Sequence, residues 1–394
     1  MIRSTAQPAP LTLGVLREQL PTLIGGQPHA SNFVSALLTG AAALQASDIQ
    51  LSPALPAGSR IRLRIDGMFH DLCSVSADEG EKICARLKVL ARLQVYRTRI
   101  PQEGRIAYDW QGRELDARAA FLPAVGGEHC TIRLFDPWRL QRTLDQLGFA
   151  AEVTARLRAL VARPQGLIVT AGPTGSGKST TIRALLAELA QTSGDTRQVV
   201  SIEDPVELRV PGVAQVEVNE EQGLTFAAAL RAALRQSPDI LAIGEIRDEA
   251  TAGVAVRAAL SGHLVLATLH AGRAVTTPSR LIELGADSRL LSGALAGILA
   301  QRLLPLVCSG CAAGPEQRRD PDCPMCLGAG IAGRTGAAEL LPWIDPLPQT
   351  LVNGYQPDSL AERAQPLMIS PLEHAIAALT GAGRISAETG ASAI

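Results

Sequence analysis

The chain is poor in aromatic residues: 3 Trp, 3 Tyr and 6 Phe make up 3% of its 394 positions. So few rings leave little for stacking nucleic-acid bases, and they require cores built from aliphatic side chains. An excess of one charge is also missing. Lys and Arg number 37 against 38 Asp and Glu, a formal net charge of -1, so the chain as a whole lacks the basic footprint that binding a nucleic-acid backbone needs. Long unbroken apolar runs are absent too. The longest apolar region, Leu290–Val307, contains Ser292, Gln301 and Arg302 and is expected to form a buried helix rather than a membrane span. Nothing near the N-terminus has the pattern of a secretory signal, which argues for a cytoplasmic protein and against a disulfide framework among its seven cysteines. The 46% hydrophobic content suits an enzyme of roughly two to three domains.

Against that background one segment stands out. AGPTGSGKSTT, residues 171–181, places Gly172, Gly177, Lys178 and Ser179 in the spacing Gly, four residues, Gly, Lys, Ser/Thr. Gly166–Thr170 is expected to be a short buried strand, and Ser179–Gln191 carries Ile182, Leu185, Leu186 and Leu189 at helical spacing. A strand, a glycine-rich turn and a helix therefore follow in order. Such a turn lets Gly172, Pro173, Thr174, Gly175, Ser176 and Gly177 wrap their amides around a phosphate chain, with Lys178 adding a full charge and Thr180 following in the helix. Ser179 can place its hydroxyl on Mg²⁺, so the pattern points to ATP and Mg²⁺ as ligands.

Hydrolysis needs a carboxylate to orient water and ligands for the metal. Two acidic clusters offer them: Ser201–Glu207 (SIEDPVE), which ends the apolar run from Val199, and Glu245, which follows Ile240–Ile243 and Gly244. Ligands of open parallel sheets gather at the carboxyl ends of strands, so both clusters fall where a nucleotide would lie. Gly244 stands where the first of two strand-end acids is usual, which moves metal binding toward the earlier cluster. Chain order alone does not divide the roles. His270 ends the apolar run Leu264–Leu269, where it can donate to a γ-phosphate oxygen, while His263 at the other end is expected to be structural.

Cys308 and Cys311 form one CxxC pair and Cys323 and Cys326 another, leaving Cys73, Cys84 and Cys130 scattered. Two such pairs over a short stretch suit Zn²⁺ held by four thiolates, although the gap between the pairs is shorter than the commonest ribbon spacing. Zinc ribbons often bind nucleic acid, but here Arg318, Arg319 and Arg334 are offset by Glu316, Asp320 and Asp322. A nucleic-acid motor is therefore a minor alternative.

These motifs together resemble the ATPases of type II secretion and type IV pilus assembly. The resemblance runs through ASDIQLSP (46–53), RIRLRIDG (60–67), RLKVLARL (86–93), RIPQEGRI (99–106), the phosphate loop and SIEDPVE. It continues through GLTFAAALRAALRQSPDI (223–240), GEIRD (244–248) and GHLVLATLHA (262–271). It implies Glu245 as the catalytic glutamate, Glu203 as a holder of Mg²⁺ through water, and a His box from His263 to His270. It also implies that Arg105, Arg118 and Arg133 reach the nucleotide, and that Arg231, Arg235 and Arg247 lie near it or at a subunit boundary. The family's usual histidine is replaced by Gln50, for which no catalytic role is assigned. In the family, the cysteine element followed by a segment like residues 326–341 marks assembly rather than retraction ATPases. A homo-hexamer docked on an inner-membrane platform protein is implied, with membrane contact only through partners, and so is movement of one domain against the other. A retraction motor and a non-hydrolysing nucleotide sensor are the remaining alternatives.

The expected fold is α/β: a RecA-like P-loop ATPase core preceded by a smaller α+β, PAS-like domain, with a short tetracysteine zinc element. The divisions are a partly ordered lead-in (1–28), the small domain (29–137), a linker (138–162) and the ATPase domain (163–394) with the zinc element at 308–326. The short lead-in leaves no room for a separate adaptor domain, so docking is expected to use the small domain or another surface.

Overall fold

The computed structural model describes residues 12–24, 29–54, 58–110, 113–135, 142–312, 323, 325–326, 328–352 and 355–393. The expected linker's first residues, 138–141, and both ends of the expected lead-in, 1–11 and 25–28, lie outside them. The chain divides into two compact units, Met1–Arg139 with Cys308–Gly333, and Leu140–Val307 with Arg334–Ile394. This division groups the cysteine segment with the first unit, where the sequence reading grouped it with the second. Gly333 N–H donates to the Asp66 carboxylate at 2.7 Å, a long-range bond within the first unit.

In the first unit, helices α1 (Leu13–Thr22) and α2 (His29–Ala43) precede β1 (Asp48–Pro53), β2 (Ser59–Ile65) and β3 (Met68–Val75). Then come α3 (Ala77–Leu90), β4 (Gln102–Trp110), β5 (Arg113–Ala124) and β6 (Gly127–Phe135). The six strands form an antiparallel sheet in the order β3-β2-β1-β6-β5-β4. Alternation sends Ile49, Leu51, Ile61, Leu63, Ala117, Ala119 and Ile132 into one core with the helices and turns polar side chains to the other face. Within the lead-in, the described residues 12–24 hold α1. Leu13, Leu16 and Leu20 recur at helical spacing, are buried in that core, and Thr12 caps the helix by accepting from Val15 N–H.

One charged pair sits inside this unit. The Lys88 ammonium, 1% exposed, donates to Glu128 Oε1 at 2.6 Å and to Arg97 O at 2.9 Å, and it lies 5.4 Å from the centre of the Phe121 ring. Removing one partner strands the other charge away from water, so Lys88→Met is expected to cost about 3–5 kcal/mol in urea unfolding. The double change Lys88→Met with Glu128→Leu should recover most of that loss. Burial also pushes the nearby Cys84 thiol up to about 12 and Cys130 well above its ordinary value, which makes both poor nucleophiles.

The second unit opens with α4 (Ala151–Val161), β7 (Gly166–Ala171), α5 (Lys178–Ser193), β8 (Val199–Glu203) and β9 (Val213–Glu217). It continues through α6 (Phe226–Ala233), β10 (Ile240–Ile243), α7 (Glu249–Leu260), β11 (Leu264–Leu269), α8 (Thr277–Glu283), α9 (Ser288–Ala294) and β12 (Leu295–Val307). After α10 (Ser309–Ala312), which falls in the cysteine segment of the first unit, come β13 (Ile331–Pro342), α11 (Leu347–Val352), α12 (Pro357–Ala364), α13 (Leu372–Gly381) and α14 (Ala387–Ala393). The sheet order is β13-β12-β7-β11-β10-β8-β9, with β12 through β9 parallel. Along β7, Leu167, Val169 and Ala171 pack with α6, α7 and α9, and Ile168 with α4 and α5. Helices on both faces define a doubly wound sheet whose ligand edge lies at the strands' carboxyl ends.

The apolar region at 290–307 corrects the expectation of one buried helix: α9 stops at Ala294 and β12 runs from Leu295 to Val307 beside β7. Every residue from Leu295 to Gln301 is buried, and a strand covered on both faces has no polar alternation to separate it from a buried helix.

Candidate nucleotide site and cysteine cluster

β7 ends at Ala171, and the loop 172–177 turns directly into α5. Gly175 and Gly177 have φ of +77° and +90°, backbone that a side chain disfavours, and Gly177 caps the helix. A Cβ on Gly172 would come within 2.4 Å of Ser176 Oγ and 2.7 Å of Gln301 O. Gln301, from β12, closes the loop: its amide donates to Ser176 O at 2.7 Å and accepts from Thr181 Oγ1 at 2.8 Å. Sequence reasoning missed this residue, because a lone Gln in an apolar run carries no signal until β12 is set beside β7. Ser176 Oγ is buried without a hydrogen-bond partner, and the exposed loop 173–175 beside it suits a phosphate chain.

Lys178 donates to Gly172 O (2.8 Å) and Pro173 O (3.0 Å), and its Nζ lies 3.4 Å from His270 Nδ1. Burial pushes its ammonium below the ordinary lysine value, while Glu245 pulls it back up. His270, just past β11, turns its Nε2 to Glu245 Oε1 at 2.9 Å. Glu245 Oε2 accepts from Arg247 Nε at 2.7 Å, and Arg247 NH1 reaches Asp204 Oδ2 at 3.4 Å. Glu245 first, and Asp204 after it, raise the Arg247 guanidinium above its ordinary value. Glu203, at the tip of β8, accepts from Ser201 Oγ and Gln215 Nε2, each at 2.8 Å.

A cavity of about 230 Å³ joins these groups, lined among others by Thr174, Lys178, Ser179, Glu203, Glu245 and His270. Gly175 also lines it, whereas Thr180 stands half-buried in the first turn of α5. Gly244 now has a physical reason: a Cβ there would stand 3.1 Å from Ile202 O and 3.4 Å from Glu203 Cα. Parallel pairing of β8 and β10 brings the two backbones close beside it, so a side chain at that position would have to push its neighbours aside by a few tenths of an ångström. His263 lies at the opposite end of β11, with Nδ1 3.1 Å from Ala258 O. Arg235 donates to Arg231 O at 3.0 Å on the surface of α6 and the turn after it.

The first unit's arginines form a row across its sheet: Arg105 faces Arg118, Arg118 faces Arg133, and Arg133 faces Asp48. Like charges directly opposite are unfavourable, and each is offset by a carboxylate: Asp116 at 2.7 Å, Glu103 at 2.7 Å and Asp48 at 3.2 Å. All three side chains are more than half exposed, at 63%, 54% and 66%. Gln50 lies on the same face, 3.2 Å from His129 Nε2, and accepts from Arg62.

The sulfurs of Cys308, Cys311, Cys323 and Cys326 all lie within 4.8 Å of one another, with Cys308–Cys323 at 3.7 Å and Cys311–Cys326 at 3.4 Å. A tetrahedral ion at about 2.3 Å from each sulfur sets the sulfurs ~3.8 Å apart, so the donor set and its spacing fit Zn²⁺. All four are buried, and among the described residues Ala332 is the apolar neighbour packed on them.

A phosphate-loop helix and acid-tipped parallel strands, in a sheet wound on both faces, define a RecA-like P-loop ATPase. A family model described as "Type II/IV secretion system protein" matches residues 26–386, and the chain belongs to that family. It is 41% identical over 333 residues to the type II secretion system protein HxcR of Pseudomonas aeruginosa, covering 84% of this chain and 70% of that one. To the type IV pilus assembly ATPase PilB of Myxococcus xanthus it is 37% identical over 361 residues, 86% and 63% of the two chains. The crystal structure of the pilus retraction motor PilT with bound ADP matches with a TM-score of 0.64 at 28% identity, covering 91% of this chain and 96% of that one. The chain is thus an ATPase of the secretion and pilus traffic family.

Proposed function

We propose that the chain is a cytoplasmic, ring-forming motor that hydrolyses ATP to drive assembly of a type IV pilus or a type II secretion pseudopilus. The observation that carries this reading is the contact chain from Lys178 through His270 to Glu245, with 3.4 Å and 2.9 Å separations. It joins a phosphate-binding cation, a hydrogen-bond donor and a carboxylate at one end of a parallel sheet. The loop amides and Lys178 hold the phosphate chain, Ser179 and Glu203 hold Mg²⁺, and Glu245 orients the attacking water. Bound Mg²⁺ would supply charge neutralisation on the phosphate oxygens. His270 donates to the γ-phosphate, and Arg105 with Arg118 clamps it, rigid guanidinium forks being suited to charge developing on its oxygens.

Lys178 must leave Gly172 O and Pro173 O, and Glu245 must leave Arg247, for this constellation to act. Hydrolysis thereby becomes dependent on rearrangement, which is what a motor requires. Movement of one domain against the other would pass to an inner-membrane platform protein. The described residues contain no helix long and apolar enough to cross a membrane, in keeping with contact through partners. The cysteine cluster, read as a zinc element, favours assembly over retraction; the likeness to PilT keeps retraction as the second reading. Light scattering in ATP and Mg²⁺ tests the ring: the expected species is a hexamer, and a persistent monomer would count heavily against the motor.

A further inference from the structure

Arg183, one turn into α5, lines the nucleotide cavity and also a second cavity of about 360 Å³ in the same unit. The second cavity is lined by Arg142, Arg183, Glu188 and Arg209 with Thr143 and Pro211. Its acid is already engaged: Arg158 binds both Glu188 oxygens, at 2.7 Å and 3.0 Å. Arg142 and Arg209 are exposed, and Arg142 donates to Gln146 O at 3.3 Å. The wall is therefore basic. Arg183 itself is 6% exposed; one end of its guanidinium pairs with Glu207, a wall of the nucleotide cavity, and its buried Nε has no hydrogen-bond partner. An unpaired buried N–H donor of a charged group is costly, and an anion beside it would relieve that cost.

We infer that the second cavity is an exit for product phosphate, with Arg183 as its gate. This rests on the hydrolysis reading. Phosphate formed beside Glu245 and Glu203 would lie in the nucleotide cavity, which shares Arg183 with the second one. Arg183 exchanges Glu207 for the phosphate oxygens, and Arg142 and Arg209 draw the anion on to solvent. Arginine suits this transfer because its planar fork binds phosphate through two parallel donors.

The test compares two clocks on the full chain with ATP and Mg²⁺: acid quench for total phosphate formed, and a fluorescent phosphate-binding protein for phosphate released. In Arg142→Glu with Arg209→Glu, both changes at exposed positions, the interval between cleavage and release should lengthen about tenfold relative to the parent. An interval equal to the parent's overturns the exit. If calorimetry then finds inorganic phosphate bound by the parent and not by the variant, the cavity is a surface anion site for solutes entering from outside, which also overturns it. No phosphate in the parent's acid quench would instead remove the hydrolysis reading and this inference with it.

Discussion

Glu245→Gln is expected to keep ATP binding and to lose turnover by about a hundred- to ten-thousand-fold, the range for removing a positioned proton acceptor. The amide keeps the size of the carboxylate but can no longer take a proton or pair as a charge with the Arg247 guanidinium. In the structure Glu245 faces His270 at 2.9 Å and Arg247 at 2.7 Å, and it helps to set the protonation of Lys178. Phosphate binding rests on the loop backbone and Lys178, so a fluorescent ATP analogue should bind the variant well while steady-state phosphate production falls. Equal turnover in variant and parent would refute Glu245 as the residue that orients water. Absence of turnover in the parent, with binding intact, would favour the nucleotide-sensing alternative.

Loss of metal is the second large effect. Protein prepared without chelator should carry about one Zn per chain, and Cys323→Ser should lose it. Structural zinc contributes about 10–16 kcal/mol in small peptides, and here the four cysteines have Ala332 as their apolar support among the described residues. With so little core of its own, the segment around 308–333 should open in the variant and be cut early by protease, while the second unit, with its own cores, persists. Folded parent protein without bound metal would reject the zinc assignment.

The phosphate loop was legible because its chemistry is local. Gly172, Gly177, Lys178 and Ser179 have to lie within one short stretch for a single turn to wrap a phosphate, and the strand and helix flanking them lie where apolar spacing placed them. The first helix was not legible in its surroundings: Leu13, Leu16 and Leu20 are spaced for a helix, but the prolines and glycines around them suggested a looser segment. β12 was misread because continuous burial erases the periodicity that separates strand from helix. The basic exit cavity had no sequence signature at all. Arg142, Arg183 and Arg209 come from three distant stretches, and each taken alone resembles a solvated arginine.

The sequence by itself determined the class of chemistry: a phosphate loop, two acid-tipped strands, a histidine and paired cysteines, each a short motif whose spacing carries its own physical meaning. Only the tertiary structure decided how these groups engage one another. Parallel strand pairing sets Gly244 against Ile202, leaving Glu245 as the acid there, and places Gln301 across the loop from a strand far away in sequence. It also turns Arg247 onto Glu245 and Lys178 onto its own loop carbonyls. Such contacts join residues up to 125 positions apart, as between Ser176 and Gln301, and arise from packing in three dimensions, which spacing along the chain does not encode.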